Sequence, residues 1–200
     1  MGLKKRNLYM LALSAASCCF LLLGGCASAE KSESERDTES EGAASGSFFS
    51  VGEFSTRDVE GQAYTQEMFA EYDLTMVNAF TTWCTPCVNE IPDLQKLWEE
   101  MKDQGVNVVG IVLDSVDGLG NANAEAIEKA KILAESTKAA YPFLLPDAGY
   151  LNGRLSEINA VPETFFVDKE GNIVGETYSG SRSYEDWKEI VETELKGAVQ

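Results

Sequence analysis

Histidine is absent from all 200 residues. Structural zinc sites take four ligands, mostly cysteine and histidine, and this chain has neither a histidine nor a second Cys-x-x-Cys to complete one. A c-type haem is excluded in the same way, because Val88 stands where attachment after Cys84-Thr85-Pro86-Cys87 requires histidine. Positive charge is scarce too. Sixteen Lys and Arg stand against 33 Asp and Glu, a net charge of -17. That balance argues against nucleic acid and against electrostatic capture by anionic lipid head groups; its plainest meaning is solubility. Cysteine is sparse, with five in total. No stretch of the chain repeats another.

What is present divides into three parts. Met1-Gly2-Leu3-Lys4-Lys5-Arg6 is basic, and Leu8 to Leu23 is apolar but for a few small polar residues, too short for a comfortable membrane span. The run closes on Leu23-Gly24-Gly25-Cys26, which resembles the lipobox of bacterial lipoproteins. Residues 1–25 are therefore expected to be a signal peptide and Cys26 a lipidated N-terminus; an uncleaved anchor helix is the alternative. Either places the domain outside the cytoplasm, tethered to the cell membrane. Loss of Lys4, Lys5 and Arg6 would take the net charge from -17 to -20. Residues 26–47 are rich in Ser, Glu, Gly and Ala without hydrophobic periodicity, which reads as a disordered stalk with a reach of roughly 25 Å. Residues 48–200 form the globular domain. Within it only Cys84 and Cys87 are thiols, which suits a redox tool better than a stapled scaffold.

The domain is organised around Cys84-Thr85-Pro86-Cys87. Leu74 to Phe80 reads as a buried strand, and Leu94, Leu97, Trp98 and Met101 recur at helical spacing after the cysteines. The pair thus sits where a strand turns into a helix. Free N–H groups and the partial positive charge of a helix start favour thiolate over thiol. Pro86 suits the first turn, whose N–H is not needed, whereas Pro92 should kink the helix. An inert structural disulfide is the competing reading, although so short a loop constrains little of the unfolded chain.

Around this centre the sequence predicts two short strands within 49–65 forming a hairpin at Asp58-Val59-Glu60-Gly61, and a helical turn at 67–72. A buried parallel strand is expected over 106–113, a loop over 114–123 and a helix over 124–139. A strand at 141–145 and a short helix at 151–158 follow. Two strands joined at Lys169-Glu170-Gly171 come next, then a helix over 183–196 that buries Tyr184, Trp187, Ile190, Val191 and Leu195. The implied fold is α/β, a mixed sheet with helices on both faces.

Trp83-Cys84-Thr85-Pro86-Cys87, Pro92 five residues on, and Val161-Pro162 before a hairpin resemble the thioredoxin superfamily. The leader, the front hairpin and the helical insertion at 124–139 bring the resemblance closer to TlpA/ResA-type membrane-anchored thiol-disulfide oxidoreductases, over residues 48 to 197. The resemblance implies a thioredoxin-like fold and a cis Pro162 beside the cysteines, with Val161 and Pro162 helping to dock substrate and Trp83 packing beside the pair. Trp83, Pro86, Val161 and Pro162 are the expected substrate-binding residues. It further implies that Glu90, three residues beyond Cys87, lies near the thiols and tunes their proton affinity; a solvent-facing glutamate is the alternative. Asn78 stands where thioredoxins carry a buried aspartate, which leaves Glu90 as the proton carrier. Glu163, after the proline, departs from the family's small polar residue and is expected to place charge at the substrate face.

The expected chemistry is dithiol–disulfide exchange, with Cys84 attacking and Cys87 resolving. No cofactor or metal beyond the Cys84–Cys87 disulfide is expected. The expected partners are protein disulfides, such as those met in cytochrome c maturation or envelope-protein repair, and a membrane thiol donor; the chain is expected to be a monomer. Without histidine between the cysteines, the reductase direction is favoured over the oxidase. Rival readings are a peroxiredoxin, on Thr81-Thr82-Trp83-Cys84, a copper(I) carrier using two soft thiolates, and a redox-silent binding lipoprotein.

Overall fold

A computed structural model describes residues 50–199. The expected signal peptide, the lipidated Cys26 and the stalk lie outside the described residues. A two-stranded antiparallel hairpin opens the domain, β1 (Ser55–Arg57) with β2 (Ala63–Thr65). Its turn forms because the Asp58 carboxylate accepts from Gln62 N, while Gly61 takes up a left-handed φ of 92°.

The central sheet has five strands: β3 (Leu74–Phe80), β4 (Val106–Val112), β5 (Phe143–Leu144), β6 (Glu163–Asp168) and β7 (Ile173–Ser179). Their spatial order is β5-β4-β3-β6-β7. The first three run parallel, while β6 and β7 are antiparallel additions, so the sheet is mixed as expected. Strands β3 and β4 are buried at every position, which is why they read as continuous apolar runs without alternation.

Among the described residues α1 (Thr85–Met101) and α2 (Ala124–Thr137) connect strands, and α3 (Tyr184–Ala198) follows the last of them. Met76, Phe80, Val108 and Phe166 share a core with Ile91, Leu94 and Leu97 of α1, Ala130 of α2, and Trp187 and Val191 of α3. Val77, Val109, Ile111, Phe165 and Val167 point the other way and meet Phe54, Phe69, Leu151 and Leu155. Among the described residues that second face is covered by the front segment and by short 3-10 turns at Gln66–Phe69 and Arg154–Glu157 rather than by a long helix. Pro92 lies inside α1, which continues to Met101. The strand expected over 141–145 shrinks to two residues, and Ile190 and Leu195 are only partly buried. The charged Glu194 is buried on α3 instead.

Glu194 explains a glycine. Its Oε1 accepts from Tyr178 Oη at 2.7 Å and from Glu176 N at 3.2 Å. Gly175, at φ 65°, passes so close that an added Cβ would sit 1.7 Å from Glu194 Oε2. Only glycine permits both the conformation and the approach.

Candidate active site

Strand β3 delivers the chain to Cys84, which caps α1 at φ -82° and ψ 102°. Its Sγ accepts from Cys87 N at 3.3 Å, so one of the free N–H groups of the first helical turn is aimed at that sulfur. Cys84 and Cys87 are joined as a disulfide, with Cα atoms 5.3 Å apart. Both are buried, but unequally: Cys84 retains 5% of its accessible surface and Cys87 none. The outer sulfur is thus the one that an incoming group meets first.

That sulfur lies at a shallow depression lined by Trp83, Pro86, Leu113, Ile158, Ala160 and Val161. Trp83 is not packed against the pair as the resemblance implied; it stands on the rim with 71% of its surface exposed. A ring with so little covering it is apolar surface left for another molecule. The Val161–Pro162 bond is cis, and Val161 O lies 3.7 Å from Cys84 Sγ. Pro162 itself is buried at the start of β6, held through its carbonyl by Gly180 N at 2.9 Å.

Glu90 is buried, with 2% of its surface exposed, one helical turn beyond Cys87. Three groups donate to its carboxylate. Asn78 Nδ2 donates to Oε1 at 2.9 Å; Arg182 N and Trp187 Nε1 donate to Oε2 at 3.1 and 3.3 Å. Asn78 also donates to Thr164 Oγ1 at 3.0 Å, its register partner on β6. Burial raises the Glu90 pKa, and the hydrogen bonds from Asn78, Arg182 and Trp187, with the Arg182 charge, pull against that rise. The burial of Tyr141, with Glu90 nearby as a lesser cause, raises the pKa of its phenol. Glu90 is therefore the buried carboxyl anticipated, not the solvent-facing alternative.

Glu163 departs from expectation. Its carboxylate accepts from Arg154 Nη2 at 2.8 Å, with both side chains nearly enclosed, and the Arg154 guanidinium lies 4.4 Å from the Phe165 ring centre. The charge is neutralised inside the fold rather than displayed to a substrate. Sequence reading missed this pair, because nine residues and a 3-10 turn separate its members. It also missed Asp114, whose carboxylate accepts from Thr82 N at 3.1 Å and Thr82 Oγ1 at 2.7 Å, fixing the loop before the cysteines. Among the described residues no group of three or more Cys, Asp or Glu is arranged to hold a metal ion.

Comparison with known proteins agrees with this geometry. The AhpC/TSA family pattern matches residues 50–175. Thiol-disulfide oxidoreductase ResA of Oceanobacillus iheyensis is 28% identical over 101 residues, covering 49% of this chain and 45% of that protein. Thiol:disulfide interchange protein DsbE of Pasteurella multocida is 30% identical over 133 residues, covering 66% and 65%. The matched region thus spans about half to two thirds of these relatives. A thioredoxin-family thiol:disulfide interchange protein from Chlorobium tepidum, solved as a crystal structure, superposes with a TM-score of 0.61 at 26% identity, over 76% of this chain and 99% of that one.

Proposed function

Because the chain belongs to the AhpC/TSA family and shares its fold with thiol-disulfide oxidoreductases, we propose that it is an extracytoplasmic thiol-disulfide oxidoreductase that reduces protein disulfides. One observation carries the reading. The Cys84–Cys87 disulfide sits at the first turn of α1, with its outer sulfur beside a cis Val161–Pro162 bond and an apolar rim.

The Cys84 sulfur accepts from Cys87 N in the disulfide form, and the same N–H at the helix start would stabilise the thiolate once the pair is reduced. That thiolate attacks one sulfur of a substrate disulfide, the substrate S–S bond breaks, and one substrate sulfur leaves as thiolate to be protonated by water. Cys87 gives its proton to the Glu90 carboxylate and attacks Cys84 Sγ. The mixed disulfide breaks and the second substrate thiolate leaves. Two electrons have moved from the pair to the substrate, and the pair ends as its disulfide. A membrane thiol donor returns two electrons, and the proton held on Glu90 goes back to Cys87. The lipid on Cys26 and the stalk of 26–47 keep the domain within reach of that donor, and the chain works as a monomer. Apocytochrome c and envelope proteins under repair are the substrates this placement suits.

A second reading is a peroxidase. It is favoured by Thr81, three residues before Cys84, whose buried hydroxyl has no hydrogen-bond partner. The reductase reading is stronger, since it alone uses Cys87, cis Pro162 and Glu90 together. The test is the reduction potential of the Cys84–Cys87 pair in the full chain, equilibrated in thiol buffers and read on the peptide by mass. A value at or below about -270 mV supports the reductase; one near about -120 mV points to disulfide insertion. Rapid peroxide consumption with no reversible couple would replace both.

A further inference from the structure

Glu90 is held by a loop far later in the chain, through a residue 92 positions on. The loop joins β7 to α3, and Arg182 lies in it. Arg182 Nη1 donates back to Ser179 O at 3.2 Å and to Gly180 O at 2.8 Å. Its guanidinium lies 5.1 Å from the Tyr178 ring centre and 5.0 Å from that of Trp187. The loop so closed uses two main-chain donors on the active site: Gly180 N holds Pro162 O at 2.9 Å, and Arg182 N holds Glu90 Oε2 at 3.1 Å.

Pro86, Asn89, Asp93, Arg182 and Asp186 surround a surface cleft that reaches Glu90. The cleft mouth is distinct from the Trp83 depression, and the two share only Pro86 among their lining residues. A substrate seated on the rim would leave this cleft open to water.

We propose that Arg182 is the positioning residue of the Glu90 proton relay: by clasping its own loop it sets a main-chain N–H and a positive charge against the carboxylate, and the cleft beside it is the proton's entrance. This rests on the reading of Glu90 as the acceptor of the Cys87 proton. Protons exchange between Glu90 and water through the cleft while the docking face is occupied, so reduction of the substrate and rearming of the relay need not wait for its release. Asn78 on β3, Trp187 on α3 and the Arg182 main chain bond Glu90, Tyr141 ahead of β5 lies near it, Asn78 in turn bonds Thr164 on β6, and Cys87 stands one helical turn earlier on α1. Asp93 and Asp186 stand at the cleft mouth. Arg182 is the cation among them, and it offsets those acids.

The test is the rate at which iodoacetamide labels the reduced Cys84–Cys87 peptide from about pH 5 to about pH 10, in the full chain and in E90Q, R182Q and R182K. Glu90→Gln identifies the inflection that belongs to Glu90. In R182Q that inflection should move up by about one pH unit, since an opposing charge has been removed; R182K should keep it near the wild-type position, and E90Q/R182Q should match E90Q. A profile of R182Q that superimposes on wild type, while E90Q loses the inflection, overturns the role of Arg182 and leaves Glu90 standing. No change in E90Q overturns both. The wild-type protein supplies a further reading should R182Q not fold. Salt screens the partly exposed guanidinium, so the inflection should rise with ionic strength; a fall would mean that Asp93 and Asp186 dominate and would overturn the proposal.

Discussion

Asn78 donates one amide hydrogen to Glu90 Oε1 at 2.9 Å and places another on Thr164 Oγ1 at 3.0 Å. A single β3 side chain thereby links the carboxyl beside the cysteines to the strand that begins after cis Pro162. The amide can only donate to a carboxylate at this distance, so it opposes the effect of burial on Glu90 without bringing a charge of its own.

Asn78→Ala removes that donor. The loss should destabilise the fold by about 1–3 kcal/mol and shift the pH at which Glu90 takes its proton upward. Asn78→Asp should shift it further, because a second carboxyl so close cannot ionise alongside the first. Urea unfolding and thiol-labelling profiles check the two effects separately; a downward shift in N78D would contradict the contact.

Cys87→Ser should arrest exchange after the first attack. The Cys84 thiolate still opens a substrate disulfide, but nothing within the protein then attacks Cys84 Sγ. A model protein disulfide should accumulate as an adduct on Cys84, visible by intact mass and released by dithiothreitol. Cys84→Ser should give no adduct, since the remaining sulfur is fully buried.

Glu90 makes stability depend on pH. Its pKa in the folded protein is raised above the ordinary 4.5, chiefly by burial, so the folded state binds the proton more tightly than the unfolded chain. The associated stability is fully present below pH 4.5 and is lost as pH rises through the folded-state value. In Glu90→Gln that loss disappears. The difference in unfolding free energy between E90Q and wild type, measured by urea at a series of pH values, should move in favour of E90Q as pH rises. A flat difference would mean that the carboxyl is not raised.

Gly175→Ala should be among the most disruptive small changes in the domain. It adds a methyl 1.7 Å from Glu194 Oε2 and forces alanine to φ 65°. The backbone part alone costs about 1–3 kcal/mol. In G175A/E194A the steric part should be relieved and the backbone part retained, so thermal unfolding of the double variant should fall between G175A and E194A.

Arg154→Met should cost roughly 3 kcal/mol, because it strands the nearly enclosed Glu163 carboxylate without its partner. Replacing both members with apolar residues should cost less than the two single changes summed. A double-variant cycle in urea measures the coupling. Ile158 and Ala160 line the docking depression downstream of the turn carrying Arg154, so R154M should also raise the KM for a protein disulfide more than it lowers kcat.

The amino-acid sequence by itself determined what depends on near neighbours. The apolar runs at 74–80 and 106–112 dictated buried strands, because every position of each faces core. Cysteines with two residues between them ahead of a helical period dictated a sulfur at a helix start. Asp58 with Gly61, and Asp168 with Gly171, dictated two turns through hydrogen bonds that span four residues. The expected leader and lipidated Cys26 lie outside the described residues. Tertiary structure alone decided the polar surroundings of the cysteines. Arg182 reaches Glu90 across 92 residues, Trp187 across 97 and Thr164 reaches Asn78 across 86, and no periodicity encodes such separations. The same holds for Glu163, whose charge reads as exposed until Arg154 is folded against it. Hydrophobic pattern specifies which face of an element is buried, but a buried carboxyl acquires its partners only when separate elements pack, and those partners set when it holds a proton.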